Sequence, residues 1–346
     1  MIIYIRYNQS DNLGGFILTG SNIKYYLMTT ASLVALAFIS CYFTGLIQLF
    51  AGILISVILG SQTVKMHYGF VAASTSITFL IPLVISLLSG AVFTTALLYA
   101  LLLIIPIILM GLTLGFSANL KLSFNKTVIF LAILYLASTL TGMKILNLAG
   151  NPAMNIEAII SQSIDQAMLS LDSVYSDLPE IDELFNTVIS AVSSMMLTLS
   201  PSLFIIISLA VGYITALIFK SFLARRRVDM SFWPAFYLQR ADKSFAILFL
   251  IVFFLNSFVP EGMFKDAMTN VILILSCIFF LYGLTFFSWK LRASGVKSPT
   301  RKLIFIALIP VCSMLFMLPF FIILIIGLFD GIFDYRSRLS KGEDNK

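Results

Sequence analysis

The sequence predicts an all-α protein, a polytopic transmembrane helix bundle of about nine spans carrying an acidic amphipathic helix on its outer side. Three observations lead there. Of 346 residues, 60% are hydrophobic and 11% charged, against roughly half and a quarter in soluble domains. A soluble core able to hide that much apolar surface would exceed the size of a single domain, so lipid must face most of it. Apolar runs of about 20 residues recur along the chain, and each crosses a hydrocarbon layer about 30 Å thick as a helix. Helix is forced because unpaired backbone groups cannot face lipid.

In order, the spans fall at 26–43, 45–61, 68–88, 91–117, 127–146, 192–219, 244–259, 267–289 and 302–327, with the tightest break at Thr44 and Gly45. Polar residues fill the stretch before the first span, and the first apolar run leads straight into the second, so that span is expected to be retained as an insertion signal. Lysine and arginine test the breaks independently, because they collect on the cytoplasmic side. With the N-terminus inside, the inner breaks hold Arg6, Lys24, Lys65, Lys121, Lys126, Lys220, Arg225, Arg226, Arg227, Arg240, Lys243, Lys290, Arg292, Lys297, Arg301 and Lys302. The outer breaks hold only Lys144 and Lys265. This asymmetry supports a multi-pass membrane protein with a cytoplasmic N-terminus.

The chain's end departs from the pattern. Nine crossings put the tail outside, yet it carries Arg336, Arg338, Lys341 and Lys346. Two full crossings between Lys302 and Arg336 need about 60 Å of helix, and the intervening residues supply roughly 50 Å. Pro310 and Pro319 allow a re-entrant hairpin instead. The tail's side stays open at this point.

Between Lys144 and Lys220 there is no basic residue, while Glu157, Asp165, Asp172, Asp177, Glu180, Asp182 and Glu183 cluster. Ile156, Ile160, Ile164, Met168, Leu171, Tyr175 and Leu178 recur every three or four residues, which describes an amphipathic helix ending near Pro179. Two readings fit this segment, 150–190: a solvated outer loop, or a lid or docking element over the outer mouth.

The net charge of +6 does not indicate nucleic acid, since the cations are scattered through short breaks. Cys41, Cys277 and Cys312 lack the paired spacing of a zinc site or a redox dithiol. His67 stands without partner ligands. The chain has no HExxH, GxSxG, phosphate-loop or GxGxxG pattern, so neither a catalytic residue nor a bound cofactor or metal is expected. Asp330 and Asp334, one helical turn apart, offer a weak lipid-headgroup metal reading; pairing with Arg336 and Arg338 at an interfacial helix end is the plainer one. The basic loop 220–243 combines Arg225, Arg226 and Arg227 with Trp233 and Tyr237, as an interfacial anchor or a partner's docking site would. Within the spans the polar residues singled out are Gln48, Asn256 and several Ser and Thr, and no full charge lies near mid-span, which disfavours an ion-coupled pump. Ala31 and Ala35, like Gly111 and Gly115, place small side chains one turn apart and allow close helix contact.

The early spans and the ending GLFDGIFDYRSRL, residues 327–339, resemble the YybS-like family of uncharacterised bacterial membrane proteins. The first six spans also look like the S component of energy-coupling-factor transporters, six-helix proteins that bind vitamins or metals and are driven by a transmembrane partner with two ATPases. In that family an AxxxA pattern on the first helix meets the transmembrane partner, and Ala31 and Ala35 match it. The resemblance implies a six-span domain over 1–219 including the acidic segment, followed by the basic loop 220–243, C-terminal spans over 244–329 and a polar tail over 330–346. It further implies a transport-related binder of an unidentified small solute, without its own ATPase, working with an energy-coupling subunit. A non-transporting scaffold for envelope machinery is the alternative. An intramembrane lipid enzyme resting on Asp330 and Asp334 is a third.

Overall fold

The structure, a computed structural model, describes residues 20–43, 45–65, 68–148, 161–162, 166, 179–301, 303–304 and 318–336. Among them every extended element is a helix. The order is α1 Gly20–Tyr42, α2 Leu46–Lys65, α3 Tyr68–Leu88, α4 Phe93–Asn119, α5 Phe124–Leu148, α6 Pro179–Arg225, α7 Lys243–Asn256, α8 Met263–Ala293 and α9 Leu318–Phe333. Seven of these helices are long and apolar enough to cross a membrane, while α7 and α9 are apolar but shorter. Their 14 and 16 residues give about 21 and 24 Å of helix.

Two boundaries differ from expectation. The sixth span, expected from 192 to 219, lies inside a 47-residue helix that begins at Pro179. Proline suits a helix's first turn because its missing N–H would be unsatisfied there anyway; hydropathy marks only the apolar part of such a helix. The last helix, expected over 302–327, is described from Leu318 to Phe333. It runs past Asp330 because that charge is neutralised inside the protein, so Asp330 belongs to the helix and not to a polar tail. Most of the acidic amphipathic segment, together with His67, Pro310, Cys312 and Arg338, lies outside the described residues.

The chain divides into two compact units, residues 1–116 and 117–346, so α5 and α6 belong with the later helices and not with the first four. In the first unit, α1 packs on α2 and α3 around Leu33, Ala37, Ile55, Ile58 and Leu59. Gly111 and Gly115 of α4 meet α2 at backbone distance. A Cβ at 115 would stand 2.3 Å from the Cβ of Thr63, and one at 111 would stand 2.9 Å from the Ser56 carbonyl oxygen. The small pair in GLTLG is therefore filled by internal packing. Ser56 Oγ donates to the Ile107 carbonyl of α4 (2.8 Å), and Gln62, fully buried, donates to Thr29 Oγ1 (3.0 Å).

In the second unit, α5 packs on α6, α6 on α8, and α7 to α9 on one another. The closest approach joins α8 to α9, where a Cβ at Gly283 would lie 1.9 Å from the Ile323 carbonyl oxygen and one at Gly327 2.1 Å from that of Phe279. Phe280 stacks on Phe320 at 4.7 Å, and Arg336 beyond α9 reaches Thr285 of α8. The pairs 280 with 320 and 285 with 336 rise together, so α8 and α9 run parallel. Ala241, Ala246, Phe249, Leu275, Phe279, Leu324 and Leu328 form the core there.

Many large apolar side chains stay exposed on the helix surfaces, among them Leu46 (72%), Leu88 (82%) and Leu148 (80%). Water would not tolerate so wide an apolar exterior, and lipid does.

Candidate functional site

One end of the second unit is closed by the loop between α6 and α7, and the chemistry there is ionic. α6 finishes at Arg225 in a Schellman turn: Arg227 is left-handed (φ 58°) and the Val228 N–H returns to the Leu223 carbonyl (3.1 Å). Asp229 then accepts from the Ser231 N–H (2.9 Å), which holds its pKa below the ordinary value. Trp233 is 1% exposed and wedged edge-on against Phe124, and its indole N–H donates to the Leu122 carbonyl (2.8 Å). The Lys220 ammonium caps the Trp233 and Pro234 carbonyls at 2.6 and 2.9 Å.

Trp233 thus serves as an internal anchor in protein and is not an interfacial aromatic. The guanidinium of Arg292 covers the Tyr237 ring at 4.3 Å.

The node of this end is Arg336. α9 ends at Phe333, and left-handed Asp334 (φ 49°) turns the chain so that Arg336 comes back alongside Asp330. Its Nε donates to Asp330 Oδ2 (2.8 Å), one terminal nitrogen to the Tyr237 carbonyl (2.6 Å) and the other to Thr285 Oγ1 (3.0 Å). One planar fork, whose several donors have fixed directions, therefore ties α9, the loop and α8 together. Both charges are buried, with side chains 8% and 2% exposed. Burial lowers the Arg336 pKa, and the neighbouring Asp330 carboxylate works against that shift.

Around the node, Thr285 Oγ1 lies 2.7 Å from the Gln239 carbonyl, Tyr213 donates to Gln239 Oε1 (2.5 Å), and Arg240 pairs with Asp334 (2.5 Å). Among the described residues, Asp330 Oδ1 and Gln239 Nε2 are buried without a partner.

The two aspartates are thus held by different cations, Asp330 by buried Arg336 and Asp334 by exposed Arg240. Asp330 is not interfacial: it sits inside the unit. The glycines of GLFDGIFDYR fit the same account, Gly327 touching α8 backbone and Gly331 facing Ala241 and Ala246. Gly327, Asp330, Gly331, Asp334 and Arg336 of that ending each make a contact with another segment or with one another.

The remaining candidate residues are placed as follows. Ala31 and Ala35 lie exposed on α1, on an apolar face shared with Leu27, Thr30, Val34, Phe38 and Ile39 of the same helix. Arg225 and Arg227 are exposed, and Arg226 lies over the Phe222 ring at 4.6 Å. Among the described residues no group of three or more His, Cys, Asp or Glu could hold a metal ion. Reading the sequence missed Gln239, Thr285 and Asn270. A signal existed for each, since an amide or hydroxyl in an apolar helix or beside one needs a partner.

Neither a curated protein nor a solved structure matches the chain. The model of the family described as predicted membrane protein (DUF2232) matches residues 33–331, from within α1 through Asp330. On that match over most of its length, the chain belongs to this family of predicted membrane proteins.

Proposed function

We propose that this chain is a transport-related subunit of the bacterial inner membrane that binds a small solute and works through a partner helix seated on α1. The observation that carries the proposal is a contrast among small-residue pairs. Gly111 with Gly115, and Gly283 with Gly327, are filled by the chain's own helices, whereas Ala31 and Ala35 stand exposed on an apolar face of α1 that no other described helix fills. Small residues one turn apart let two helix backbones approach closely, and in lipid such packing drives association. The resemblance to S components supports the solute, and the ending GLFDGIFDYRSRL supports a place beside the YybS-like proteins. The charge asymmetry supports a cytoplasmic N-terminus and a cytoplasmic loop 220–243. Catalysis forms no part of the proposal, and energy comes from an ATPase-bearing partner.

Purification from native membranes tests it. The expected result is a copurifying transmembrane or ATPase subunit, with a retained small molecule. Recovery of the chain alone and empty removes the proposal.

A second reading, a non-transporting scaffold, is favoured by the packed interiors around Leu33 and Phe279. It predicts stable protein partners and no retained solute.

A further inference from the structure

The longest helix contains a joint. At 47 residues, α6 is about 70 Å long, more than twice the hydrocarbon thickness. Counted from Lys220, a crossing of about 30 Å ends about 20 residues earlier, at Ser200 and Pro201. Pro201 has no N–H, so the Leu197 carbonyl loses its helical donor. Ser200 Oγ donates to that carbonyl instead (2.9 Å). The next rung involves Thr198 and Ser202, and α8 claims both of its members. Asn270 Nδ2 donates to the Thr198 carbonyl (2.9 Å), and Asn270 Oδ1 accepts from the Ser202 N–H (3.2 Å). The same Nδ2 also donates to the Asp266 carbonyl of its own helix (2.9 Å).

Burial changes at this level. Ser202, Ser208, Val211, Thr215, Ala216 and Phe219 are buried, while no residue from 187 to 200 is. Above the joint, Val188 (53%), Val192 (41%), Met195 (62%) and Met196 (47%) form an apolar stripe exposed among the described residues, with Ser190, Ser194 and Leu197 on the other face. A straight arm would hold that stripe off the membrane, whereas a bent one lays it on the interface.

We propose that α6 is a jointed helix whose outer arm, 179–200, pivots about Thr198–Ser202, and that Asn270 is the pin holding the joint in the state observed. Proline opens the ladder, and the amide from α8 supplies the bonds that keep the two parts in line. The arm's apolar stripe drives the swing when the pin is lost.

Spin labels at Ser194 and Lys290, in full-length protein lacking its native cysteines and held in nanodiscs, read the angle as a distance distribution. Wild type is expected to give one main distance. N270L, similar in size but unable to bond, shifts the balance toward a second distance by about tenfold, the worth of two lost hydrogen bonds. N270D keeps the acceptor for Ser202 and gives a smaller shift. In a P201A background, where the missing N–H is restored, N270L has little effect, because the joint itself is gone. An unchanged distribution in both N270L and N270D overturns the proposal. So does an N270L effect of equal size with and without P201A, which would make Asn270 ordinary glue between helices.

Discussion

Removing Arg336 is the sharpest perturbation of the basic end. Arg336→Leu leaves the Asp330 carboxylate buried with neither oxygen paired among the described residues, since Oδ1 has no partner there to begin with. The Tyr237 carbonyl and Thr285 hydroxyl lose their donor as well. Breaking a buried ion pair by deleting one member costs about 3–5 kcal/mol, most of it the penalty of the stranded charge. Deleting both members avoids that penalty, so D330L/R336L recovers most of the loss. Arg336→Lys falls between, because a single ammonium cannot reach three acceptors in different directions. Unfolding in mixed micelles of increasing SDS content, followed by tryptophan emission, supplies the numbers. An R336L protein within about 0.5 kcal/mol of wild type, or a double variant no better than R336L, would refute the reasoning.

Further outcomes follow from other contacts. G283A and G327A each force a Cβ into neighbouring backbone at 1.9 and 2.1 Å, so each lowers stability by about 2 kcal/mol or more in the same micelle titration. Trp233, 1% exposed, emits at short wavelength, and W233F loses that emission together with about 1 kcal/mol for the bond to Leu122. Because Arg336 and Asp334 bond to the loop between α6 and α7, a cysteine placed at Lys346 is labelled from the same side of the membrane as one placed at Arg227. Labelling from opposite faces would break that link.

The helices were legible because hydrocarbon thickness and the cost of unpaired amides leave little choice. Seven of the nine expected spans overlap described helices closely, and Gly111 with Gly115 was readable as a tight contact. What hydropathy misread were positions where a charge or a proline is satisfied by tertiary partners. Asp330 looked like the start of a tail because its partner lies six residues on, across a left-handed turn. Pro179, expected to close an amphipathic helix that lies mostly outside the described residues, begins α6.

The basic loop was visible as charge and aromatics. Its inward fold was not, since the Trp233 bond to Leu122 joins residues 111 apart. The closure by Arg336 draws on Tyr237, Thr285 and Asp330 from three separate segments, and no local pattern carries such a meeting. The α1 face is the converse case: Ala31 and Ala35 were readable as a pair, but only packing tells a filled pair from an open one.

The central claim is that the face of α1 bearing Ala31 and Ala35 receives a partner's helix. A photocrosslinking residue at Ala35, compared in native membranes with one at Val84, an exposed position on α3, tests it most directly. The account predicts one discrete protein adduct at Ala35 and lipid adducts at Val84. Equal capture at both positions, or lipid alone at Ala35, would contradict it.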